Sequence, residues 1–156
     1  MKRAISINAK GALVVGGLAL VTAAISTPAN ANDKDVNYRQ AVMKALGGHM
    51  GSIGAIAKGE VGHTKHMFGH AVAINAIAAM ALDIFPEGSG GDKTRAKDEI
   101  WQNMGEFRKA VSAFQAASAK LLEAANLGDK AAVSAALGGV GKTCGGCHKP
   151  FRKPNS

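Results

Sequence analysis

Between Asp98 and Asn126 the apolar residues Ile100, Met104, Phe107, Val111, Phe114 and Leu121 return mostly every three or four positions. That spacing lines one face of an α-helix and cannot line one face of a strand, whose side chains alternate. Three other stretches carry the same period. The first, about 35–58, places Val42, Leu46, Met50 and Ile53 on one stripe. The second, about 63–82, carries Met67, Ala71, Ile74, Ile77 and Ala81, and it stops before Ile84-Phe85-Pro86 because proline disfavours helical angles in the residue ahead of it. The last opens at Asp129, an N-cap residue, just after the Leu127-Gly128 helix stop, and runs to about Lys153. Ala, Leu, Met, Lys and Glu outweigh β-branched and aromatic residues. The expected fold is all-α, an antiparallel four-helix bundle, an architecture whose core can house a cofactor between facing helices. The Gly/Ser-rich stretch Glu87 to Asp92 reads as the longest loop, and Gly59-Glu60-Val61-Gly62 leaves the start of the second helix open.

The first 31 residues read as a removable leader. Lys2, Arg3 and Lys10 precede the apolar run Gly11 to Ile25, and the small residues Ala29-Asn30-Ala31 follow it. The run is shorter than the roughly 20 residues of a spanning helix, so export with cleavage is expected, and no stable membrane insertion afterwards. An uncleaved anchor is the alternative. Cleavage after Ala31 leaves residues 32–156, enough for one domain and too few for two. Removing the three leader cations takes the formal charge from +8 to +5. That excess suits a partner with an acidic surface, and no interleaving of basic and aromatic residues points to nucleic acid.

Both cysteines lie in Thr143-Cys144-Gly145-Gly146-Cys147-His148. C-x-x-C-H is the attachment signature of a c-type haem. On a helix Cys144 and Cys147 are i and i+3 and His148 is i+4, so two thiols can meet the two vinyl groups of one flat ligand while the imidazole meets its iron. Three other chemistries use similar residues. A thioredoxin-like pair belongs at a helix start after a strand, and no βαβ pattern precedes it. A structural zinc site needs four ligands, and this stretch supplies at most three. A Cys144–Cys147 disulfide would strain the helix.

C-x-x-C-H-x-x-F-R on the last helix of a bundle resembles the class II c-type cytochromes, the cytochrome c′ family. Tyr38-Arg39-Gln40-Ala41-Val42-Met43, Gly54 to Gly59, Phe85-Pro86, Ile100-Trp101 and His148 to Arg152 look like family landmarks, so the resemblance spans essentially the whole chain after the leader. It implies one covalent haem c, His148 as axial ligand, Arg152 near the haem beside His148, and Arg39 at a propionate. It also implies that Met43, four residues after Arg39, faces the iron. In one branch such a methionine ligates the iron and the protein carries electrons. In the other the iron is five-coordinate beneath a bulky side chain that nitric oxide or carbon monoxide must displace.

Gly47 and Gly51 leave the helix surface beside Met43 bare, and thioether ligation raises a haem potential, so the sequence reading favours the electron-carrying branch with His148 and Met43 on the iron. The five-coordinate gas binder is the alternative. Met50, Met67, Met80 and Met104 read as core. His63, His66 and His70 fall at i, i+3 and i+7, and with His49 they read as a wet polar stripe, because no carboxylate or thiol nearby completes a metal set. The expected protein is periplasmic, exchanges electrons with redox partners, follows the family in possible homodimerisation, and is not an enzyme. A peroxidase-like activity lacks a distal base.

Overall fold

The computed structural model describes residues 29–154, and residues 1–28 of the expected leader lie outside them. Four long helices carry the fold: α1 (Ala29–Lys58), α2 (Met67–Met80, entered by a 3₁₀ turn at Thr64–His66), α4 (Met104–Asn126) and α5 (Lys130–Phe151), with a single turn, α3 (Glu99–Gln102), before α4. Among the described residues no element is a strand and no helix is long and apolar enough to cross a membrane. α1 packs on α2 and α5, and α4 packs on α2 and α5, which closes a ring of four.

Local chemistry sets the helix ends. At the end of α1 the Gly59 N–H donates to Ile56 O at 3.0 Å and the Glu60 N–H to Ala55 O at 2.9 Å, a Schellman closure. It needs the left-handed angle that Gly59 adopts at φ 78°. Asp129 caps α5, its Oδ1 accepting from Ala131 N at 2.8 Å and Ala132 N at 3.1 Å. Asp129→Ala should therefore cost about 1 kcal/mol of stability, read as a lower denaturant midpoint at unchanged slope. An unchanged midpoint would mean that the cap contributes nothing.

The apolar stripes meet as their spacing requires. Ile53, Ile74, Leu121, Val133 and Val140 are sealed from solvent. They bring together the second half of α1, the middle of α2, the second half of α4 and the first half of α5. Toward the other end, the middle of α1, the first half of α4 and the second half of α5, with Ala81 just after α2, line the cavity described below.

Two features depart from the sequence reading. The helix expected over 98–126 is interrupted at Asn103, where φ −125° and ψ 48° leave the helical region. Asn103 O then accepts from both Glu106 N and Phe107 N, restarting the helix, and Ile100 and Phe107 are both buried across the break. Asparagine is a poor helix-interior residue and a good boundary one. The longest connection is also larger than 87–92: it runs from Ala81 to Asp98 and is packed down. Trp101 Nε1 donates to Phe85 O (3.2 Å) and Pro86 O (3.0 Å), and a Cβ on Gly90 would sit 3.0 Å from Asp98 Oδ1 and 3.1 Å from Trp101 Cζ3, so a side chain here would have to push both neighbours back. Its far end pairs with the C-terminus. Lys97 N donates to Phe151 O (3.0 Å) and Lys153 N to Arg95 O (2.7 Å) around an antiparallel Ala96–Arg152 bridge.

Candidate cofactor site

α5 places Cys144, Cys147 and His148 on one side, and that side faces a cavity of about 840 Å³. Clefts that hold cofactors run to about 300–1,000 Å³. The opposing contributions come from Met43, Leu46, Gly47 and Met50 of α1 and from Phe107, Val111 and Phe114 of α4. The last turn of α5 brings Phe151 edge-on to Phe107 (5.2 Å between ring centroids), and Phe85 meets the same Phe107 at 4.9 Å. The sequence-expected residues Arg39, Met43, Cys144, Cys147, His148 and Arg152 all line this one space.

The two thiols are free and half-buried. Burial raises the pKa of both. Cys147, which also feels the neighbouring Cys144, is pushed up to about 11. A redox C-x-x-C pair works through a thiol whose pKa is depressed, so this pair has the electrostatics of structural thiols, not of an exchange centre. His148 is shifted the other way. Burial first, then the charges of Arg152 and Arg95, hold its pKa below the ordinary histidine value. The imidazole is therefore neutral at neutral pH, the state in which a ring nitrogen can ligate a metal.

Arg39, Lys44, Arg95 and Arg152 line the cavity, and among the described residues no carboxylate does. An apolar slot with a cationic rim suits a flat apolar group that carries carboxylates at one edge, and the residues present fit a haem. Lys44 and Arg95 were not singled out in the sequence. Lys44 is one of many lysines, and Arg95 sits in a connection with no period to read. Arg95 itself is held by its Nε and Nη2 donating to Lys153 O at 3.0 and 2.7 Å.

Arg39 has a larger task than the one expected from resemblance. Its side chain is buried. Nη1 donates to Ile84 O (3.2 Å) and Ser89 Oγ (2.6 Å), Nη2 to Ser89 O (2.7 Å) and Thr94 Oγ1 (3.0 Å), and the guanidinium stacks 4.8 Å over the Phe85 ring. The four Nη donors are thus engaged within the protein, which leaves Nε for any propionate.

Comparison with known proteins decides the family. The family model for cytochrome c′ matches residues 34–152. The chain belongs to the cytochrome c′ family. It is 42% identical over 120 residues to cytochrome c′ of Pararhodospirillum photometricum, covering 76% of this chain and 95% of that one. It is 38% identical over 146 residues to cytochrome c′ of Rhodospirillum rubrum, covering 92% and 98%. Among solved structures, a nitric oxide complex of a point mutant of cytochrome c′ from Alcaligenes xylosoxidans matches with a TM-score of 0.74 at 29% identity, covering 80% of this chain and 97% of that chain. Cytochrome c′ proteins are four-helix bundles that carry one covalent haem c with iron, and they are periplasmic. These comparisons carry the cytochrome c′ family part of the expectation and give no support to its methionine-ligated branch.

The histidines divide differently from their spacing. His63 and His66 stack on each other (5.2 Å, 9°), whereas His70 turns to α1 and meets His49. Among the described residues no group of three or more His, Cys, Asp or Glu side chains converges as a metal set.

Proposed function

We propose that this protein is a five-coordinate, gas-binding cytochrome c′: His148 ligates the iron, Cys144 and Cys147 hold the haem, and Met43 covers the opposite haem face without bonding to the metal. The observation that carries this reading is the likeness to cytochrome c′ proteins, one of them solved as a nitric oxide complex. Met43 lines the cavity and is unbranched and partly buried, so its thioether can swing aside to admit a diatomic molecule.

The haem supplies an iron that takes up one electron or one diatomic ligand. The chain's own residues do the rest. His148 offers a neutral nitrogen, the phenylalanines of α4 and α5 exclude water, and Met43 sets the size of the entrance. Among the described residues no carboxylate lines the cavity to serve as an acid or base, and the role proposed for the site is binding. Lys44, Arg95 and Arg152 at the rim favour an acidic redox partner for returning the iron to its ferrous state. Exposed Tyr38, Phe68 and Val72 on α1 and α2 support pairing of two copies through these helices.

A second reading, His148 and Met43 both on the iron in an electron carrier, draws on Met43 lining the same cavity as His148. Absorption spectra of the ferric and ferrous protein, with and without carbon monoxide, separate the two. The proposal expects broad high-spin bands that shift with carbon monoxide, and Met43→Ala should keep the high-spin state while speeding gas binding by about tenfold or more. That tenfold corresponds to about 1.4 kcal/mol removed from the barrier. Sharp split ferrous bands unmoved by carbon monoxide, made high-spin by Met43→Ala, would establish the electron carrier instead.

A further inference from the structure

Away from the haem cavity, two metal-ligand side chains from different helices converge. His49 on α1 and His70 on α2 are half-buried, and their Nδ1 atoms lie 3.0 Å apart with the rings tilted 58° to each other. We infer that this pair is a two-imidazole chelate for a divalent transition metal, Cu(II) in the first place, set on the seam between α1 and α2.

The argument is one of bite distance. Two imidazole nitrogens each about 2.0–2.1 Å from a metal stand about 2.9 Å apart when they subtend a right angle, and about 3.4 Å apart at the tetrahedral angle. The observed separation matches the right angle. Adjacent positions of a square-planar or tetragonal site have that angle, the geometry preferred by Cu(II) and Ni(II), and Cu(II) leads the affinity order for nitrogen ligands. Rigid helices supply both ligands, so little motion is needed.

Room for the remaining ligands is present. His49 and His70 are both only partly buried, so water can complete the coordination from the exposed side.

Without metal the same 3.0 Å is spanned by one N–H···N bond, one ring donating from Nδ1 to the lone pair of the other. Binding requires the donor ring to move its proton from Nδ1 to Nε2, after which both Nδ1 lone pairs are free for the metal and no proton is lost overall. His63 and His66 take no part, because both are exposed and stacked on each other.

The test is a titration of the haem-loaded protein with CuCl2, followed by calorimetry and by the Cu(II) electron paramagnetic resonance spectrum. The expected result is one bound Cu(II) per chain with hyperfine structure from two nitrogens, and a thermal midpoint that rises with copper and falls back on adding EDTA. His49→Ala and His70→Ala should each lose that site, while His63→Ala keeps it. The visible haem spectrum reports whether each variant is folded, and His70→Gln, which can keep a hydrogen bond to His49, provides a milder replacement that should also lose the two-nitrogen signal. Absence of copper binding in the wild type would overturn the inference. So would the same site in the His49→Ala, His70→Ala double variant, which would assign the copper to another part of the chain.

Discussion

Replacing both Cys144 and Cys147 by alanine should leave a polypeptide with no haem that survives denaturation, where the native protein keeps all of it. Haem staining of a denaturing gel reads this directly. The expectation follows from three facts about the pair. Both thiols lie on the side of α5 that lines the cavity, neither is engaged in a disulfide, and burial keeps both protonated near neutral pH. Thiols in that state do not exchange disulfides, but they are placed to be tied to two points of one flat ligand. Each single replacement should keep the haem attached through the other sulfur, since one thioether suffices for covalency. His148 remains in every variant, so reversible haem binding can persist. A haem-stained band from the double variant would require an attachment other than these two sulfurs.

The attachment motif was legible because chemistry fixes its spacing: two sulfurs and a nitrogen must reach one ring, and a helix offers that at i, i+3 and i+4. The four long helices were legible for a similar reason, as burying one face of a helix demands the three- to four-residue period seen from Val42 to Leu121. What escaped is whatever is decided by partners far along the chain. The local marks of the break in the third helix, Asn103 itself and Gly105 two residues on, are too weak alone to place it, and the break serves the packing of Ile100 and Phe107 together. His49 and His70 look like members of a solvated stripe until α1 and α2 are laid side by side. Arg95 has no local signature at all, and it gains its place from Lys153 O at the other end of the chain. Met43 was legible as a cavity residue but not in its bonding, because a sulfur that covers an iron and one that ligates it have the same sequence environment.

Arg39 presents the largest gap between what its local sequence says and what it does, and Arg39→Ala should be the most damaging single change outside the attachment motif. One guanidinium joins Ile84, Ser89 and Thr94, residues 45 to 55 positions away, and stacks on Phe85. Burial lowers its pKa and the charge of Asp35 partly restores it, so the desolvation cost is offset mainly by these four acceptors. Hydrogen bonds to a charged group contribute about 1.5–3 kcal/mol each, and bonds sharing one donor group do not add, so a loss of roughly 3 kcal/mol is expected. At a typical slope of about 1–3 kcal/mol per molar urea, the unfolding midpoint should fall by about 1 M or more. Arg39→Lys should recover less than half of this, because three donors on a single nitrogen cannot span the acceptors that the planar fork reaches. Hydrogen exchange of the haem-loaded protein locates the effect. The connection from Ile84 to Ala96 should lose protection first, whereas α4 and the first half of α5 should keep theirs. Were Arg39 chiefly a propionate partner, the haem spectrum or potential would change while that connection stayed protected, and the urea midpoint would hardly move. The same connection carries Arg95 and the bridge from Ala96 to Arg152, the two cations that, after burial, hold the His148 pKa down. Loosening it through Arg39 should therefore reach the proximal ligand as well, by relaxing the segment that keeps those charges beside the imidazole.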